Sequence, residues 1–228
     1  PGIFVERELA LDKLDAHVGW KIEKGQAADA PAAVTVKVSD ARFQNADARG
    51  QLTASWKSGR GSGFARGGRY PGELELDGRI FDAKALRTAR YLPLGLPNGV
   101  RDYLGRAVRG GTLTSASFKV RGDLADFPFH KARNDKEGEF RIALQLADLA
   151  FAYIPGDAGT AADAAWPALT AASGEVIIAN GGLEIKDAKL RLAGADWSRV
   201  HGRIAELGDN AGIFGGAAII LQEMAGES

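Results

Sequence analysis

The three histidines, His17, His130 and His201, are the first place to look for chemistry. None sits in a metal-ligand spacing such as HExxH, which puts two imidazoles on one helix face. They read as strand or surface residues. The chain has no cysteine, which removes disulfides and thiolate metal sites. No Gly-x-Ser-x-Gly elbow presents a serine nucleophile. Asp and Glu together number 29 and are scattered, with no spacing that marks a glycosidase pair. No catalytic residue, metal site or cofactor is assigned, and the chain reads as non-enzymatic.

One segment concentrates charge. Lys57, Arg60, Arg66 and Arg69 lie in a glycine-rich stretch, residues 57–69, that holds no acid. Such composition suits an RNA-binding arm, and it equally suits a hairpin loop with solvated charges. It fails as a phosphate loop, since it lacks a Gly-Lys-Ser/Thr ending and no helix follows directly. The loop reading is preferred. Lys+Arg and Asp+Glu are each 29 across 228 residues, and a generic polyanion binder would be more basic. Nucleic acid is therefore not an expected partner. A polysaccharide or nucleic-acid binder would act through Arg60, Arg66 and Arg69, with salt-sensitive affinity.

The elements around these residues are mostly strands. Leu14, Ala16, Val18, Trp20 and Ile22 share one parity, as do Val34, Val36 and Val38, then Leu52, Ala54 and Trp56. Leu74, Leu76 and Ile80 alternate with Glu73, Glu75, Asp77 and Arg79. Further on come Phe118 and Val120, and then Phe140, Ile142, Leu144 and Leu146. The parity slips at Ala147-Asp148, where a bulge or a new strand brings in Leu149, Phe151 and Tyr153. Val176 and Ile178, Leu183 and Ile185, Leu190 and Leu192, and Val200 and Ile204 complete about a dozen strands. One dry and one wet face per strand indicates an antiparallel sheet. Asn180-Gly181 reads as a hairpin turn, and Gly78 as a bend within a continuing strand. Thirty glycines suit a long, curved sheet. The fold class expected is mainly β, a curved antiparallel sheet forming a groove, and the alternative is a closed β-sandwich. Periodicity alone does not separate them.

The period changes once. Val100, Tyr103, Leu104, Ala107 and Val108 fall at i, i+3, i+4, i+7 and i+8, one face of a helix. Asn98 is the expected N-cap and Gly110-Gly111 the stop. A shorter helix runs from Ala83 to Arg90, capped by Asp82. Together they form a helical insert at residues 82–109 that covers the sheet, Tyr103, Leu104 and Val108 making the contact. Trp166-Pro167 follows an Ala/Gly/Asp-rich loop, residues 155–165, and anchors the return to the sheet. No run reaches the length of a membrane helix; the best, Ile213 to Leu221, is short and holds two glycines. No signal peptide stands at the start, and the opening on Pro1 reads as an excised piece.

An ordered set of phrases carries a resemblance. PGELELDGRIFDAKALRTARYLP is followed by VRDYLGRAVRGGTLTSASFKVRGDLADFPF, GEFRIALQLADLAFAY, AWPAL and LEIKDAKLRLAGADWSRVHGRIAEL. The set resembles the YhdP branch of the AsmA-like envelope proteins of Gram-negative bacteria, over residues 1–207. The resemblance implies a repeating β-groove protein of the periplasm, anchored in the inner membrane by an N-terminal helix. It implies phospholipid movement towards the outer membrane, with neighbouring segments of the same parent chain as partners. Residues 208–228 match no phrase and read as a tail or the start of the next segment.

Under that reading the groove binds phospholipid acyl chains. Its expected lining is Val36, Leu74, Leu76, Phe118, Val120, Phe140, Ile142, Leu144, Leu146, Val176, Ile178, Leu190 and Leu192. A structural or protein-interaction module built as a sandwich is the competing expectation.

Overall fold

The computed structural model describes residues 8–25, 32–61, 63–92, 98–127, 129, 137–155 and 167–204. Nine strands form one antiparallel sheet in strict sequence order. They are β1 (Lys13–Glu23), β2 (Ala33–Gln44), β3 (Arg49–Lys57), β4 (Glu73–Lys84), β5 (Val108–Asp123), β6 (Glu139–Phe151), β7 (Leu169–Ala179), β8 (Gly182–Leu192) and β9 (Ala195–Ile204). Each strand packs against its sequence neighbours, and β1 does not pair with β9, so the sheet is open. Among the described residues no second sheet lies over either face, so the closed sandwich is not the architecture.

A dozen expected strands become nine because bulges divide the alternation without dividing the strand. Register shifts fall between Leu146 and Leu149 of β6, and between Ile185 and Ala188 of β8. Asp148 and Asp187 take positive φ of 51° and 48° there. The extra residue restores the apolar side chains to their original face, so Leu149 follows Leu146 and Ala188 follows Ile185. β2 does the same at Asp40, φ 52°. Bulges strengthen local twist and bend a strand, and here they recur from β5 to β9 at adjoining levels. Asn180 and Gly181 turn β7 into β8 with φ of 43° and 90°, as the sequence indicates. Asn180 also accepts the Phe140 N–H through Oδ1 at 2.7 Å, fastening the start of β6.

The helical insert differs from expectation. β4 runs on to Lys84, so Asp82 is a strand residue with φ 53°, held by Arg49. It caps nothing. A 3₁₀ helix covers Ala85–Tyr91, and α1 covers Asn98–Ala107. Val108 opens β5 opposite Phe151 rather than closing the helix, and Gly110-Gly111 lie within β5. The insert packs at the ends of β4, β5 and β6. Tyr103 is buried there: its ring meets Phe151 edge-on at 6.2 Å, and its hydroxyl donates to the Tyr153 carbonyl at 3.0 Å. Burial, with the nearby Tyr153, pushes the Tyr103 phenol up to about 12, so it remains a donor. Leu104 is half-buried on the same helix. The side chains of Asn98 and Val100 lie outside the description.

A buried carboxylate clasps this insert to the turn between β2 and β3. Asp47 is 7% exposed and accepts from the Tyr91 hydroxyl and from Arg90, each at 2.9 Å. Asn45 donates to the Tyr91 oxygen at 2.8 Å and accepts the Asp47 and Ala48 N–H groups. Burial pushes the Asp47 carboxyl up, but the Tyr91 and Arg90 hydrogen bonds and the Arg90 and Arg87 charges outweigh it and hold the group below its ordinary value. Removing the charge in Asp47→Asn should cost about 2 kcal/mol, since one partner is partly exposed. A depressed folded pKa contributes stability above the unfolded carboxylate value and loses it as pH falls through the folded one. Thermal melts should therefore separate wild type from Asp47→Asn at pH 7 and converge below about pH 4. A gap that persists at pH 2 would reject the ionised clasp.

Candidate functional site

Antiparallel register stacks like-facing side chains from adjacent strands about 5 Å apart, so alternation along each strand becomes rows across the sheet. One row is Trp20, Val36, Trp56, Leu74 and Gly122. The next is Val18, Val38, Ala54, Leu76, Val120 and Phe140. A third runs Ala41, Leu52, Gly78, Phe118, Ile142, Ile178, Leu183 and Ile204. A fourth runs Leu14, Phe43, Gly50, Ile80, Ala116, Leu144, Val176, Ile185 and Gly202. Leu146 stands between Leu113 and Gly174, while Leu190 and Leu192 lie past the β8 bulge, opposite Trp197 and Ala195. These four rows contain no ionisable side chain. Nine strands at about 4.8 Å spacing make a stripe roughly 38 Å long.

All thirteen expected lining residues thus lie on one face. Twelve of them are half-buried and only Val120 is buried. Side chains interlocked between two layers would be almost wholly buried, so this degree of exposure marks a face over which no second layer of described residues is packed. Most of the buried side chains of the face are small, Ala41, Ala116, Ala172 and Ala188, with Val120 and Val200 beside them. Gly78 lies inside β4, which continues through it in unbroken register with β3 and β5 around that point. The space of its missing side chain is taken by the tip of the Phe118 ring, and a Cβ there would stand 2.1 Å from Phe118 Cζ. Phe43 covers Gly50 in the same way.

The opposite face is ionic. Glu75 pairs with Arg121, Lys119 with Glu139 at 2.9 Å, and Lys21 with Glu23 at 2.6 Å. The exposed pairs, Glu75–Arg121 and Lys21–Glu23, add little stability, but charges on this side keep it facing water and fix which way the sheet presents its sides. Two shallow depressions open on this ionic side, one over Thr53 and Ser55 between Lys37, Glu75, Lys119 and Arg121, the other between Arg42, Gln51 and Arg79. Short side chains between long charged ones make them. Their charged, solvent-open walls do not suit a hydrocarbon, and they are not the site.

The two ends of the apolar face are built differently. Tyr103 and Phe151 close one end. At the other, Phe129 is 2% exposed and rests on Gly122 and Gly138, with Phe127 edge-on to it at 5.9 Å and to Phe140 at 5.1 Å. The Asp126-Phe127 part of the sequence phrase therefore leads into an aromatic plug. The charged loop also stands at this end, joining β3 to β4, with Gly67 N–H donating to Asp123 and Arg66 pairing with Asp126 at 3.2 Å.

Sequence reasoning left Phe43, Ile80, Ile185 and Phe129 out of the lining, although alternation pointed to Ile80 and Ile185 and the Phe-Pro-Phe phrase to Phe129; Phe43 reaches the face only through the β2 bulge. Among the described residues no group of His, Asp and Glu side chains comes together in a way that could hold a metal ion. His17 lies on β1, and His201 on β9 is 3.4 Å from Asp187. His130, Trp166 and residues 208–228 lie outside the described residues, and so does the 213–221 run. No helix among the described residues is long and apolar enough to cross a membrane. A family model described as YhdP protein matches residues 1–214. No curated protein and no solved structure matches the chain.

Proposed function

The chain belongs to the YhdP family, and from that premise we propose that it is a non-enzymatic lipid-conducting segment of the Gram-negative envelope. It works in the periplasm, within a parent chain held at the inner membrane, on the phospholipid path to the outer membrane. Acyl chains lie against the apolar rows of the sheet, and head groups stay in water. The observation that supports this most is the uncharged apolar face crossing nine strands with, among the described residues, no second sheet over it. A hydrocarbon chain on such a face gains about 0.8 kcal/mol per buried CH₂. Neighbouring rows offer similar side chains, so a lipid meets similar energies at each position and moves without a specific release step.

The test uses side-chain parity. A photo-reactive residue at Leu144, on the apolar face, should form a phospholipid adduct detectable by mass spectrometry. One at Gln145, on the opposite face and one residue on, should not. Equal labelling at the two positions would refute the proposal.

A further inference from the structure

The apolar rows do not account for the tip of the loop between β3 and β4. Phe64 stands there 81% exposed, yet the backbone around it is well tied. Ala65 N–H donates to the Tyr70 carbonyl and Tyr70 N–H to Gly63, while Gly61 N–H donates to Gly67 and Gly68 N–H to Ala65. The phenyl ring is thus held out into solvent by a built turn. Tyr70, 48% exposed, pairs with Phe64 as an isolated bridge and stacks on Trp56 at 6.2 Å between ring centroids. Trp56 adjoins Val36 and, beyond it, Trp20, which is 73% exposed on the outermost strand beside Ile22 at 63%. An aromatic ridge therefore runs from the loop tip to the sheet edge.

Cations flank the ridge. The loop carries Lys57, Arg60, Arg66 and Arg69 and no carboxylate of its own. Arg66 is balanced by Asp126, and Glu23 lies near enough to feel Arg60 and Lys57. Arg69 spends its guanidinium on the neutral Ala32 carbonyl, so its charge is not cancelled there. Exposed Phe, Tyr and Trp beside Arg and Lys are the combination that settles at a bilayer interface, rings at head-group depth and cations on lipid phosphate.

We propose that this corner, Trp20–Tyr70–Phe64 with Arg60 and Arg69, is a peripheral contact for the surface of a bilayer containing anionic phospholipid. It goes beyond the acyl-chain reading: it shares Trp20 with the first apolar row, but its tested contacts, Phe64 and Arg60, stand on the loop, so either reading can fail alone.

Flotation with two kinds of vesicle tests it: phosphatidylcholine alone, and phosphatidylcholine with about one-third phosphatidylglycerol. The wild-type protein should float with the anionic vesicles, lose binding as salt rises, and shift its tryptophan emission to the blue. Phe64→Ser combined with Arg60→Gln should lower the bound fraction about tenfold. Both residues are exposed, so the melting temperature should stay unchanged. Leu144→Glu should leave flotation intact. Equal flotation of wild type with neutral and anionic vesicles would overturn the proposal, and so would a double variant that binds as wild type does. If neither vesicle binds and Phe64→Ser instead abolishes self-association in analytical ultracentrifugation, the corner is a protein interface and the proposal falls.

Discussion

A glutamate in place of Leu144 should strip phospholipid from the protein, lowering the lipid recovered in an organic extract about thirtyfold. Leu144 sits between Ala116 and Val176 across the sheet, and between Ile142 and Leu146 along its own strand. No cation in these rows can receive a carboxylate. Laying hydrocarbon over an ionised side chain costs about 2 kcal/mol at a lipid-facing position, and each 1.4 kcal/mol is about a factor of ten. The sheet itself should survive. Leu144 is half-buried and keeps some exposure to solvent, so in the empty protein the longer Glu side chain can turn its head to water. Ser117→Glu is the matched control. Ser117 is exposed on the ionic face opposite Arg79, so a carboxylate there gains a partner and should leave lipid content unchanged. Equal lipid in the two variants would remove the sheet face from the binding surface.

The strands were legible because a one-sided sheet writes its environment into parity: Glu73, Glu75 and Asp77 could not share a face with Leu74 and Leu76. What parity does not carry is the identity of whatever lies over the dry side. A sandwich and a bare sheet demand the same alternation, and only the half-burial of residues such as Ile142 and Val176 distinguishes them. Counting went astray at the bulges. Asp148 and Asp187 each add one residue, and in sequence that slip is indistinguishable from a strand break. The helix was legible in kind but not in extent. Ala107 and Val108 satisfy a helical face at i+7 and i+8, and Val108 satisfies strand parity as well, so the boundary had no signal of its own.

The candidate surface was legible where alternation is regular and invisible where it depends on partners distant in sequence. Phe43 belongs with Leu144, nine strands sharing one row, yet the Asp40 bulge moves it off the parity of Val36 and Val38. Phe118 lies in the third row, and its packing on Gly78 was not foreseeable, because Gly78 lies forty residues earlier and only the β4–β5 register brings them together. The charged loop showed its composition plainly. That its tip carries an exposed ring tied to Trp56 followed only from the fold.

The plug at the loop end of the sheet offers the sharpest test of packing. Gly138 has φ of +154° and Gly122 of +132°, and Phe129 covers both. A Cβ on Gly138 would stand 2.3 Å from Phe129 Cδ1. Gly138→Val must therefore strain the backbone, at about 1–3 kcal/mol, and displace the most buried ring in the description, at about 1–3 kcal/mol more. The sum, about 4 kcal/mol, should lower the melting temperature by roughly 10 °C. Phe129→Ala should cost about 3 kcal/mol by leaving a cavity over the two glycines. The double variant separates the two effects. With the ring gone, valine at 138 has room and partly refills the hole, so only backbone strain remains. The combined loss should then fall short of the sum of the single losses by about 1–3 kcal/mol. Strictly additive melting shifts would mean that the ring does not rest on these glycines, and that this end of the apolar face is open.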